Sequence, residues 1–178
     1  MSLRSLHLLG SPVLRQRATE VSEVDGAVRQ LVTDLFDTMR AEQGVGLAAN
    51  QIGETRRVAV VDTGEDGAVV LINPEITEQE GRDKSEEGCL SIPEIYGDVV
   101  RAIRIVFETT SLEGDRVSVE ASALRARAIL HEIDHLDGIL FLDHLSPLKR
   151  RMLQAKWKKM RKGKTGYIKE VNPTSVRD

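Results

Sequence analysis

His131-Glu132-Ile133-Asp134-His135 sets two imidazoles four positions apart, with a carboxylate next to the first. On a helix, residues four apart share a face and stand about 6 Å apart along the axis, close enough to chelate one metal ion. Glu132 follows the first histidine directly, where a carboxylate can reach a water beside such a metal without ligating it; this is the outline of a metallohydrolase. Read alone, the five residues fit an ordinary helix surface equally well. The flanking chain argues against that. Ala128, Ile129, Leu136 and Ile139 make the helix largely apolar, so His131, Glu132 and His135 are expected in a buried setting, where unpaired polar groups are costly.

Two imidazoles need a third ligand. Zinc endopeptidases with the extended pattern H-E-x-x-H-x-x-G-x-x-H take a histidine ten residues after the first; here Gly138 matches, but position 141 is Phe. A downstream glutamate fails as well, because the only acid between Asp137 and Glu170 is Asp143. The ligand must come from upstream, and the chain's single cysteine, Cys89, in Glu87-Gly88-Cys89-Leu90-Ser91, is the candidate. The competing reading of a lone cysteine is a small buried hydrophobe.

At 178 residues, with 40% hydrophobic and 30% charged residues, the chain is expected to form one globular domain, residues 1–178. No apolar stretch approaches a membrane-spanning length, and Leu6-His7-Leu8-Leu9 before Pro12 is too short for a signal-peptide core. One cysteine and no export signal point to a reducing cytoplasm. Neither a membrane nor DNA is expected as a partner.

Between Asp25 and Glu42, Val28, Leu31, Val32, Leu35, Phe36 and Met39 form the stripe of an amphipathic helix that ends near Gly44. Arg57–Asp62 and Val69–Ile72 read as strands, and Val99–Glu108 and Arg116–Glu120 alternate as a half-buried sheet does, the last two runs joined by a turn at Glu113-Gly114-Asp115. Helices at both ends with strands between them predict an α+β domain. Gly44-Val45-Gly46-Leu47-Ala48-Ala49-Asn50-Gln51 is not a phosphate loop, since no Lys-Ser or Lys-Thr pair follows its glycines. By composition it caps a helix and turns the chain.

Taken in order, Gly44–Gln51, Glu87–Ser91 and His131–Gly138 resemble the three motifs of the peptide deformylases, metallohydrolases that remove the N-formyl group from nascent bacterial polypeptides. Leu9-Gly10-Ser11-Pro12-Val13-Leu14-Arg15 and Asp143-His144-Leu145-Ser146-Pro147 are further landmarks, so the likeness spans nearly the whole chain. The resemblance implies mixed or antiparallel sheets around a central metal-binding helix. It implies Cys89, His131 and His135 as ligands of one divalent ion, ferrous iron by family habit, with zinc or nickel compatible with the donor set. It assigns Glu132 as the proton carrier, and Gln51 with the backbone N–H of Leu90 as the oxyanion donors. Val45, Gly46, Gly88, Leu124, Arg127 and Ala128 fall where the family lines its substrate pocket, and Arg101 matches an arginine near the substrate backbone. Two positions depart from the pattern. Leu130 stands where the family commonly has Gln. Arg127 replaces an apolar residue, so that its guanidinium reshapes the pocket or its stem supplies the wall while the charge reaches solvent. The alternatives to deformylation are another metal-dependent amide hydrolase or peptidase, and a catalytically silent ribosome-binding homologue.

The net charge of −3 hides a division. From His144 onward eleven Lys or Arg face two acids, a net +9, whereas residues 1–143 carry −12. Ser146-Pro147 makes a helix start, and the basic helix it opens, to about Lys162 within a C-terminal segment 146–178, reads either as a solvated face or, by the resemblance, as a dock on the ribosome near the exit of formyl-methionyl nascent peptides.

Overall fold

The computed structural model describes residues 2–173. In chain order the elements are β1 (Leu6–His7), α1 (Gly26–Ala41), β2 (Gly46–Ala48), β3 (Val58–Val61), β4 (Val69–Ile72), β5 (Glu75–Glu80), β6 (Asp83–Cys89) and β7 (Ile92–Arg101). They continue with β8 (Arg104–Thr110), β9 (Arg116–Ser122), α2 (Ala123–Leu136), α3 (Pro147–Met160) and β10 (Ile168–Lys169). Every strand pairing among the described residues is antiparallel, in sheets ordered β1-β10, β2-β3-β4, β5-β8-β9 and β6-β7. This is the expected α+β architecture. No helix of the described residues is long and apolar enough to cross a membrane.

All four residues of β3 are buried because helices cover both faces of its sheet. Successive strand side chains point to opposite faces. Val58 and Val60 pack with Val28, Leu31, Val32, Leu35 and Met39 of α1. Ala59 and Val61 belong to the other core, with Ala126, Ile129, Ile133 and Leu136 of α2 and with Ile105 and Phe107 of β8. Each fully buried Val, Leu, Ile or Met contributes about 1.5–3 kcal/mol relative to exposure, and that burial fixes α2 against the sheet. Small Ala48 and Ala59 on this face let the helix approach closely. A third cluster, including Ile92, Ile95, Val99, Phe141, Leu142 and Trp157, joins the β6-β7 hairpin to the chain after α2.

The local signals at the helix ends act as their chemistry requires. Asp25 accepts the Val28 N–H at 2.9 Å and starts α1, and Ser146 accepts the Lys149 N–H at 3.3 Å ahead of Pro147 in α3. The basic helix ends at Met160, slightly short of Lys162, and part of the expected C-terminal segment, 174–178, lies outside the described residues.

One strand expectation is corrected. The run Val99–Glu108 is not one strand: β7 ends at Arg101, the chain turns at Ala102-Ile103, and β8 begins at Arg104 in a different sheet. The break is held by hydrogen bonds, since Ile103 N–H donates to Glu80 O and Ala123 N–H to Ile103 O. Strands β5 and β6 carried no apolar periodicity because most of their side chains face solvent. The Glu113-Gly114-Asp115 turn forms as expected, with Ser111 N–H donating to Asp115 O and Gly114 at φ +91°.

Candidate metal centre and active-site cleft

The buried stripe of α2 carries His131 and His135 one turn apart, with their Nε2 atoms 3.1 Å apart. Strand β6 ends at Cys89, whose Sγ lies 3.3 Å from His135 Nε2. All three donor atoms fall within 4.8 Å of one another. A tetrahedral ion with metal–nitrogen bonds near 2.0 Å and a metal–sulfur bond near 2.3 Å separates its donors by about 3.5 Å, so these residues fit one ion. They can hold a metal; the chemistry of the donor set does not single out which.

Hydrogen bonding orders the donors. Glu87, two residues before Cys89, places Oε1 2.9 Å from His131 Nδ1. An ionised carboxylate only accepts, so Nδ1 carries the proton and Nε2 presents its lone pair to the ligand cluster. Burial pushes the Glu87 carboxyl up, but hydrogen bonds from Arg101 and His131 outweigh it and hold the group well below the ordinary carboxylate range. The imidazoles are driven apart. Burial opposes a charge on His131, yet bonding to Cys89 and Glu87 raises it well above the ordinary value, while burial and the neighbouring His131 hold His135 well below.

Glu132 is buried beside this cluster, and its Oε2 has no hydrogen-bond partner. Burial raises its pKa to about 7, with His131 opposing the shift. A Cβ on Gly46 would stand 2.6 Å from Glu132 Oε1, so only glycine lets β2 pass this close to the carboxylate. Gln51, fully buried on a 3₁₀ turn after β2, accepts the Ala48 N–H at Oε1 (3.0 Å) and directs Nε2 to Ser91 Oγ (3.0 Å) and Cys89 Sγ (3.5 Å). Its neighbour Asn50 donates to the His135 carbonyl, tying that turn to α2.

A cleft of about 520 Å³ opens over these groups. It is lined by Val45, Gly46, Gln51, Gly88, Cys89, Leu90, Leu124, Arg127, Ala128, His131 and Glu132; His135 is not in the lining but meets Cys89 and His131 in the ligand cluster, and two further expected residues are placed differently. Arg101 is absent from the lining. It lies behind the site, with Nε and Nη2 on Glu87 at 2.9 Å and Nη1 on Asp134 at 2.5 Å, because buried Glu87 and half-buried Asp134 on that side capture its fork. Arg127 lines the cleft, but its charge does not reach solvent: the guanidinium is buried against Glu87 and the carbonyls of Val99 and Asp83. Leu130 is half-buried and packs on the core that holds α2.

Sequence reading left Glu87, Ser91, Asn50 and Tyr96 without roles. The one signal for Glu87 was its position two residues from Cys89, on the same side of a strand. Tyr96, 56% exposed, overhangs the cleft; a Cβ on Gly88 would strike its ring at 2.7 Å.

The family model for polypeptide deformylase matches residues 3–151. A peptide deformylase of Alkalilimnicola ehrlichii is 47% identical over 163 residues, covering 90% of this chain and 92% of the relative. Among solved structures, a peptide deformylase from Legionella pneumophila superposes with a TM-score of 0.85 at 40% identity, covering 90% of this chain and 96% of that one. The peptide deformylase from Ehrlichia chaffeensis in complex with actinonin gives 0.85 at 36% identity, covering 91% and 99%. With the three motifs gathered around one cleft and likeness of this extent, the chain belongs to the polypeptide deformylase family.

Proposed function

We propose that the protein is a metal-dependent hydrolase that removes the N-formyl group from the terminal methionine of newly synthesised polypeptides, releasing formate and a free amine. The observation that carries this reading is the unpartnered Glu132 Oε2 buried beside a Cys-His-His cluster, in a cleft that also holds the Gln51 amide.

Cys89 as thiolate, with His131 and His135 neutral at Nε2, would hold one divalent ion, which when bound polarises the formyl carbonyl and makes water more acidic. Glu132 takes the proton from the attacking water as the carbon–oxygen bond forms. It returns that proton to the departing amine nitrogen as the carbon–nitrogen bond breaks. A carboxyl with a pKa of about 7 can do both near neutral pH. Gln51 Nε2, oriented by its bond from Ala48, and the Leu90 N–H are the donors for the oxyanion. Val45, Gly46, Gly88, Leu124, Ala128 and the Arg127 stem form the walls that receive the methionine and its backbone. Arg101 acts behind the wall through Glu87.

Ferrous iron is the working ion in this reading, by likeness to the family; zinc and nickel suit the same donors. We place the protein in the cytoplasm, where its substrate is made, and the C-terminal basic segment at the ribosome. The test is anaerobic purification, metal analysis, and parallel assays on formyl-methionyl, acetyl-methionyl and unblocked peptides. Metal-dependent release of formate from the first alone is expected. Preference for the acetylated or unblocked peptide would assign the site to another amide hydrolase, and no turnover of any would make it a silent homologue.

A further inference from the structure

The two halves of the ligand set come from separate elements. Cys89 ends β6, and His131 and His135 belong to α2. Among the described residues no backbone hydrogen bond joins the two: β6 pairs only with β7, and α2 follows β9, with its first N–H on the Ile103 carbonyl. Side chains must set the separation between thiol and imidazoles.

We propose that Arg127 is a positioning residue for this ligand set, locking the Cys89 strand to the histidine helix through Glu87; the proposal rests on the reading of Cys89, His131 and His135 as ligands. Arg127 sits one turn before His131 on α2 and is almost wholly buried. Its stem lines the cleft, while its guanidinium turns into the β6-β7 hairpin. Nη1 donates to Glu87 Oε2 at 2.7 Å and to the Val99 carbonyl at 2.8 Å, and Nη2 donates to the Asp83 carbonyl at 2.8 Å. One side chain thus ties α2 to both strands of the hairpin. Glu87 passes the constraint on, because its other oxygen faces His131 Nδ1.

The geometry separates this role from a supply of charge. Arg101 already grips both Glu87 oxygens, at 2.9 Å each, so Glu87 keeps a cation without Arg127. Arg101, at the end of β7, also reaches Glu87 and Asp134 of α2; what only Arg127 provides is a fork from α2 onto the backbone of both hairpin strands, at the Val99 and Asp83 carbonyls. An ammonium keeps the charge but lacks that rigid planar fork. Lysine should therefore substitute poorly.

The test compares Arg127→Met and Arg127→Lys with the unaltered enzyme by two measurements other than turnover. Metal release is followed under chelator challenge, and the visible spectrum of the cobalt(II)-loaded protein reports the angles among thiolate and imidazoles. Partners that orient a ligating histidine are worth about 10–100-fold in metal affinity, so Arg127→Met should release metal at least tenfold faster, with shifted cobalt bands. KM for a formyl-methionyl peptide should change less, since Met rebuilds the apolar wall. Arg127→Lys should fall near Arg127→Met, and it carries the comparison alone if the Met variant does not fold. Arg127→Met and Glu87→Ala together should cost less than the sum of the two single changes, because the pair shares one bond and acts on the same ligand. Unchanged release and unchanged cobalt bands in the folded variant would overturn the proposal, as would full recovery of both by Lys. Stoichiometric metal retained in Cys89→Ala would instead overturn the ligand reading beneath it.

Discussion

Glu132 concentrates the chemistry in one buried side chain. Its carboxylate lies against Gly46, one oxygen is unpartnered, and burial raises its pKa to about 7. An isosteric amide keeps the shape and removes the proton carrier. Glu132→Gln should retain stoichiometric metal while losing turnover by about 10²-fold or more. Metal analysis beside a formate-release assay checks both halves: metal loss would make Glu132 a ligand, and surviving turnover would place the proton path elsewhere. The identity of this residue was legible in the sequence because its neighbour is a histidine with a partner one turn on, a purely local pattern. Glu87 was not legible in the same way. Which group faces His131 Nδ1 depends on how β6 lies over α2, and no spacing along the chain encodes that. The same holds for Arg101 and Arg127, whose directions are set by the buried carboxylate they share.

Among the elements, those with local rules were readable and those defined by their partners were not. Asp25 and Ser146 cap their helices with side-chain bonds to nearby backbone, and the apolar stripe of α1 faces its sheet. β5 and β6 present mostly charged side chains to solvent, and only pairing with β8 and β7 makes them strands. The 3₁₀ turn Phe141–His144 is tied to the turn Pro12–Arg15 by Asp143, which accepts from Arg15 at 2.5 and 3.2 Å and from the Leu140 N–H at 2.9 Å. Burial raises the Asp143 carboxyl, but these bonds outweigh it and hold the pKa below its ordinary 3.8. A carboxylate depressed on folding stabilises the protein above the unfolded value and loses that contribution as pH falls through the folded one. Because Arg15 is about half exposed, solvent screens the pair. Asp143→Asn should cost about 1 kcal/mol at pH 7, and the gap should close as pH falls below about 3.8. Urea unfolding of both proteins at pH 7 and in acid tests this; a gap that persists in acid would assign the effect to packing.

At the scale of the whole molecule the charge is divided, with the positive part gathered on and after α3. That helix buries Trp157, whose Nε1 donates to the Leu9 carbonyl at 3.1 Å, and leaves Leu148 and Met152 more than 60% exposed beside its cations. Lys149, Arg151, Lys158, Lys159 and Lys162 are exposed and have no ion-pair partner among the described residues. Two other cations belong to the fold and should be left intact. Arg161 lies over the rings of Trp157 and Tyr167 at 5.7 and 5.9 Å, and Lys156 reaches the Glu94 carbonyl at the rim of the cleft at 3.5 Å. If the helix docks on ribosomal RNA, neutralising phosphates releases counterions, so affinity must fall steeply as salt rises. Reversing the five free cations to Glu should abolish co-sedimentation with ribosomes at low salt. Turnover of a short formylated peptide should stay within about twofold, since a screened surface charge acts weakly beyond a Debye length of about 10 Å and none of the five lines the cleft. Binding that ignores both salt and the reversals would leave this charge a solvating role alone.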